Sequence, residues 1–161
     1  MICANAVASG DYTVIEGSGV IPGTSGNDVI IGSSGADTID AGSGNDIVCG
    51  RGGGDVIDGG SGNDSLIGDV SDGIAGAGTP GNDEVWGGSG NDLLWGDDGM
   101  DWLDGGSGSD QLRAGAGDDT LTGGSGGDLL IGMGDADTCD GGSSTDRTDN
   151  PSTCEMTTNV P

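Results

Sequence analysis

The sequence predicts an all-β solenoid: two parallel sheets of short strands, wound with two nonapeptide units per coil. Three observations predict it. An aspartate recurs every nine residues through thirteen units, an apolar residue usually follows it two places later, and the intervening stretches are rich in Gly, Ser and Asn. Fixed-period self-similarity of this kind marks a repeat architecture whose units bury an apolar face only by stacking.

Read from Gly23, the units are GTSGNDVII, GSSGADTID, AGSGNDIVC, GRGGGDVID and GGSGNDSLI, ending at Ile67. They resume at Gly78 as GTPGNDEVW, GGSGNDLLW, GDDGMDWLD, GGSGSDQLR, AGAGDDTLT, GGSGGDLLI, GMGDADTCD and GGSSTDRTD, ending at Asp149. The first six positions carry turn chemistry, with glycines supplying positive φ. The last three form a short strand, and side chains alternate across a strand. Position eight therefore faces the core: Ile30, Ile39, Val48, Ile57, Leu66, Val85, Leu94, Leu103, Leu112, Leu121 and Leu130, then Cys139 and Thr148. Positions seven and nine face outward, among them Val29, Ile31, Ile47, Cys49 and Ile67 on one sheet. A three-residue strand after a six-residue turn does not make a tight hairpin, so the chain winds, each coil giving one strand to each sheet.

Three segments fall outside the grid. Residues 1–22 are expected to cap the N-terminal end. Within them DYTVIEGSGVIP (11–22) alternates apolar and polar residues, and Val20–Ile21 fall where a degenerate strand belongs. Residues 68–77, GDVSDGIAGA, interrupt the roll at 23–149 and are expected to loop out of one turn; a strand slot there would swap the two faces of the second block. Residues 150–161 are a tail.

The chain has 161 residues, no Phe, 39 Gly, three basic and 28 acidic residues, for a net charge of -25. Composition alone points to disorder, but a disordered tract has no reason to hold aspartate on a lattice. The implied state is a chain that orders when cations arrive. Such acidity repels nucleic acid and anionic membrane surfaces, and no apolar run approaches a membrane span. Four cysteines suggest an oxidising compartment and two disulfides. Cys139–Cys154 and Cys3–Cys49 are the expected pairs, although four cysteines admit three pairings. The opening MICANAVASG lacks the basic start and apolar run of a secretory signal. Export is therefore expected through a removed leader or as part of a longer chain.

The units resemble the RTX, or haemolysin-type calcium-binding, nonapeptide repeat GGxGxDx(apolar)x of secreted bacterial proteins, and GGSGNDLLW (87–95) matches every fixed position. The resemblance implies a right-handed parallel β-roll with calcium between successive turns. Calcium takes six to eight hard oxygen ligands. In the family these are the position-six aspartates of neighbouring turns on one side and the carbonyls of positions two and four. Carried over, the carboxylates are Asp28, Asp37, Asp46, Asp55, Asp64, Asp83, Asp92, Asp101, Asp110, Asp119, Asp128, Asp137 and Asp146. The position-two carbonyls are those of Thr24, Ser33, Gly42, Arg51, Gly60, Thr79, Gly88, Asp97, Gly106, Gly115 and Gly124. The position-four carbonyls are those of Gly26, Gly35, Gly44, Gly53, Gly62, Gly81, Gly90, Gly99, Gly108, Gly117 and Gly126. The aspartates pair two units apart, Asp28 with Asp46, Asp37 with Asp55 and onward. About nine Ca2+ ions are expected, within a range of seven to eleven set by the insertion and by the last units, where Asp135 and Ser144 replace glycine.

Catalysis finds no support: without histidine there is no Ser-His-Asp triad and no HExxH zinc site. The expected function is a secreted, extracellular or cell-surface bacterial calcium-binding module with a structural or spacer role. The alternative is a binding module for ice, a glycan or a partner protein on the outer faces. Trp86, Trp95 and Trp102, outward in three consecutive units, are its candidate contact surface. Ser and Asn at positions three and five (Ser25, Asn27, Ser43, Asn45, Ser61, Asn63) form a row along one edge that is expected to break in the second block.

Overall fold

A computed structural model describes residues 12–69, 78–144, 146–148 and 154–156. Sixteen strands follow one another in the chain: β1 (Thr13–Glu16), β2 (Val20–Thr24), β3 (Asp28–Ile31), β4 (Thr38–Gly42), β5 (Ile47–Arg51), β6 (Val56–Asp58), β7 (Ser65–Asp69) and β8 (Glu84–Ser89). They continue as β9 (Leu93–Asp98), β10 (Trp102–Ser107), β11 (Gln111–Ala116), β12 (Thr120–Thr122), β13 (Leu129–Ile131), β14 (Asp137–Asp140), β15 (Arg147–Thr148) and β16 (Cys154–Met156). The odd strands form one eight-stranded sheet and the even strands another, all neighbours parallel. Each coil thus takes two nonapeptides, as the period requires.

Register follows from the position-eight residues. In the odd sheet Ile30, Val48, Leu66, Leu94, Leu112, Leu130 and Thr148 align; in the even sheet Ile21, Ile39, Ile57, Val85, Leu103, Leu121 and Cys139 do. Every position-eight side chain from Ile30 to Cys139 is buried to 1% exposure or less. They stack in one cluster between the sheets. Burying a branched aliphatic side chain stabilises by roughly 1.5–3 kcal/mol.

Strands β8 to β11 are six residues long, twice the three-residue stretch the repeat suggests, because ladder hydrogen bonds continue into the turns. Ser89 N–H, for example, donates to Gly60 O at 2.9 Å.

The expected degenerate strand at Val20–Ile21 is β2, with Ile21 opposite Ile39. With β1, where Ile15 lies opposite Ile30, it makes a coil that continues both sheets. At the other end Cys139 and Cys154 form a disulfide tying β14 to β16, with Cα atoms 5.5 Å apart. In the other anticipated pair Cys49 is buried, whereas Cys3 lies outside the described residues.

Among the described residues the interruption adds no rung to either sheet. β6 pairs with β8 and β7 with β9, so the strands keep alternating between sheets across it. β7 runs through Gly68 and Asp69, so the first two of the interrupting residues belong to a strand. Residues 70–77 lie outside the described residues. Among the described residues no helix is long and apolar enough to cross a membrane.

Candidate metal centre

Because units alternate between sheets, their turns alternate between two edges. Turns leading into odd strands line the first edge and carry Asp28, Asp46, Asp64, Asp92, Asp110, Asp128 and Asp146. Turns leading into even strands line the second edge and carry Asp37, Asp55, Asp83, Asp101, Asp119 and Asp137. Along each edge one contact repeats: the main-chain N–H of each aspartate donates to Oδ1 of the aspartate one coil on. Eleven such bonds span 2.7–3.1 Å. All thirteen aspartates expected from the grid stand in these two ladders, including Asp55–Asp83 and Asp64–Asp92 across the insertion.

The second oxygen behaves differently. Oδ2 of Asp46, Asp55, Asp64, Asp83, Asp92, Asp101, Asp110, Asp119, Asp128 and Asp146 is buried with no hydrogen-bond partner. A buried carboxylate oxygen without a donor is costly and calls for a partner. Burial is the largest cause pushing the carboxyls from Asp46 to Asp128 upward; the N–H from the previous rung opposes it, and neighbouring carboxylates reinforce it in most. Asp83 is pushed up to about 8. Asp55, Asp64 and Asp110 rise to about 7, and Asp101 and Asp119 to about 6. Asp46, Asp92 and Asp128 are also raised.

Glycines make room for this arrangement. At position one, a Cβ on Gly50, Gly96 or Gly132 would lie 2.1–2.2 Å from Oδ2 of the aspartate in its own unit. Sequence reasoning missed that role, although position one is Gly or Ala in every unit, a signal in plain view. At position four, a Cβ on Gly62, Gly90 or Gly108 would lie 1.5–1.6 Å from the position-four carbonyl oxygen of the previous turn. These glycines have φ of 132–143°, a region open to few other residues.

Among the described residues no three or more Cys, Asp or Glu side chains converge to hold a metal by themselves. A cation here would have to draw on main-chain oxygens beside paired carboxylates, which suits a hard ion that favours carbonyl and carboxylate donors over thiolate or imidazole. The buried, unpartnered carboxylate oxygens fit such a cation.

At the insertion the spatial frame departs from the sequence frame. A Cβ on Gly68 would lie 2.1 Å from Asp83 Oδ2, so Gly68 takes the position-one place of the sixth unit. Asp69 follows in the position-two place assigned to Thr79, while Thr79 O accepts the N–H of Gly53. Asp69 is buried, its Oδ2 accepts Gly81 N–H at 2.8 Å, and its Oδ1 has no hydrogen-bond partner. The grid restarts at Gly78 and so hid this residue.

Two groupings change with the edges. Trp86 and Trp102 lie on the even sheet with ring centroids 5.2 Å apart, edge to face. Trp95 lies on the odd sheet, so the three do not share one surface. The serine row, in contrast, does not break. Ser43, Ser61, Ser89, Ser107 and Ser125 pair in succession along the first edge, flanked in sequence by Ser25 and Ser143. Beside them the side-chain oxygens of Asn27, Asn45, Asn63 and Asn91 each accept the N–H of position five in the next coil, at 2.7–2.8 Å. Asparagine here satisfies the turn backbone.

A family model for the RTX calcium-binding nonapeptide repeat matches the chain in four copies, at residues 22–57, 50–72, 77–112 and 113–147. Comparison with curated proteins found no match.

Proposed function

The chain belongs to the RTX calcium-binding nonapeptide repeat family, and from that premise we propose that it is a secreted module whose folding is driven by calcium bound between successive turns. Its role is structural, as spacer or cell-surface component, with no catalysis of its own. Repeats of this family occur in secreted bacterial proteins, and the Cys139–Cys154 disulfide suits an oxidising compartment.

The row of buried Oδ2 atoms without donors carries the reading. Paired aspartates, with the carbonyls of positions two and four, would hold the ions. Bound calcium supplies the positive charge that turns carboxylate repulsion into a bridge. The chain's own part is to place one carboxylate oxygen on the previous rung's N–H and leave the other for the cation. Calorimetry with circular dichroism across a calcium titration tests it, with magnesium as control. Sheet signal should appear cooperatively with calcium and not magnesium, at about nine ions per chain. A sheet that forms fully in chelator removes the proposal.

One observation favours a second reading, a ligand-binding module. The unbroken serine row places one serine per coil along the first edge. Ice-recrystallisation assays, and tryptophan fluorescence titrated with glycans, decide between the two.

A further inference from the structure

Taking the paired-aspartate sites as calcium sites, we propose that the first repeat coil binds no ion, because Thr24 and Ser33 fill the ligand sets of Asp28 and Asp37 with the chain's own donors. Thr24 N–H donates to Asp28 Oδ2 at 2.6 Å. Its hydroxyl is within hydrogen-bond reach of Asp28 Oδ2 (2.9 Å), Asp28 Oδ1 (3.1 Å) and the position-four carbonyl of Gly26 (3.4 Å). Gly26 N–H in turn donates to the Thr24 hydroxyl at 3.1 Å.

The second edge repeats the pattern. Ser33 N–H donates to Asp37 Oδ2 at 2.6 Å, and its hydroxyl donates to Gly35 O at 3.1 Å. Asp37 Oδ1 accepts the N–H of Gly19. At both places the carboxylate Oδ2, left without a donor in later coils, already accepts a main-chain N–H.

From Asp46 onward the geometry differs. Position-two residues Gly42, Gly60, Gly88, Gly106, Gly115 and Gly124 have φ of 87–132°, and no donor reaches the Oδ2 of their units. Arg51 and Asp97 share that backbone, at 91° and 77°, although side chains resist it. Neither Thr24 nor Ser33 has positive φ. Branching at Cβ makes the left-handed region unfavourable for threonine, and the main chain there takes a form that turns its N–H onto the carboxylate. A cation entering the first coil would displace charge-assisted hydrogen bonds, the stronger kind. Entering later coils, it meets carboxylate Oδ2 atoms that lack donors. Of the eleven ladder pairs, the two that begin at Asp28 and Asp37 are closed, leaving nine. The first coil is then a metal-independent end onto which calcium-dependent coils stack.

Native mass spectrometry of the full chain at saturating calcium counts the ions. A Thr24→Gly/Ser33→Gly variant should bind more ions than the parent, one for each carboxylate released; an unchanged count overturns the inference. Asp28→Asn/Asp37→Asn should bind as many ions as the parent, while Asp64→Asn binds fewer. A lower count in the Asp28/Asp37 variant also overturns the inference, and this arm decides if the glycine variant fails to fold. If the parent itself takes up no calcium, the calcium reading fails, and the inference with it.

Discussion

The main-chain N–H of Asp55 donates to Asp83 Oδ1 at 2.7 Å, the contact that joins Asp37 to Asp55 at 2.8 Å, although 28 residues rather than 18 separate the partners. Ten extra residues enter one turn of the second edge and neither ladder loses its rung. Excising residues 70–79 leaves GDPGNDEVW, a regular unit with Gly68 and Asp69 at positions one and two. Loop-closure entropy changes slowly with length, so the shortened chain should unfold within about 1 kcal/mol of the parent in calcium. Urea denaturation followed by circular dichroism reads this. Loss of the sheet signal would mean that the excursion is part of the fold.

Glycine at position four is a steric requirement, and one variant pair shows it. Gly108→Ala places a Cβ 1.5 Å from Gly90 O on a backbone at φ 143°. Destabilisation on the order of 3 kcal/mol or more is expected, since backbone strain and displacement of a stacked carbonyl add. Gly35→Ala meets nothing within 4 Å and lacks positive φ, so it should be neutral within about 0.5 kcal/mol. Thermal unfolding in calcium compares the two, and similar losses would refute the steric account.

Rungs should be unequal. Asp64 donates its N–H to Asp92 and accepts that of Asp46, whereas Asp146, last in its ladder among the described residues, accepts from Asp128. Asp64→Ala leaves a buried N–H without its acceptor and spoils two pairs, for a loss of about 1–3 kcal/mol before any ion is counted. Asp146→Ala ends one ladder and should cost less. Denaturant midpoints at fixed calcium measure the difference, and equal losses count against paired sites.

Protons should compete with the metal. Burial raises the carboxyls of Asp55, Asp64, Asp83 and Asp110 to about 7 or 8. The folded chain therefore holds protons that the unfolded chain releases near pH 4, about the ordinary carboxylate value. For a raised carboxyl, metal-free stability is greatest below that value. It declines as pH rises toward the folded values and is lowest above them. In chelator, lowering pH from 8 to 5 should increase sheet content, the reverse of ordinary acid unfolding. At pH 7 calcium uptake should release protons, measurable by titration in weakly buffered solution. Sheet loss on acidification would contradict the buried ladder.

Much of this was legible in the sequence, for physical reasons. Ile39, Leu66 and Leu103 could be assigned to the core because a strand has period two and each unit holds one strand. The pairs Asp46–Asp64 and Asp92–Asp110 followed from two units per coil. The same rule, applied to side chains, separates Trp95 from Trp86 and Trp102 and joins Ser61 to Ser89; consecutive units read as neighbours hide both. Asp69 was hidden because spacing records where a pattern restarts, not where the chain leaves the coil. The hydrogen bonds of Thr24 and Ser33 depend on a main-chain conformation at position two that composition does not encode.

The insertion after Asp69 falls in a turn of the second edge, where positions two and three vary (Arg51, Asp97, Met133; Ser34, Pro80, Asp98), while the first edge is nearly uniform. Length added at such a corner leaves the count and alternation of coils untouched. A protein of this build can therefore acquire new surface by outgrowth from one side, with the opposite side preserved as an invariant spine.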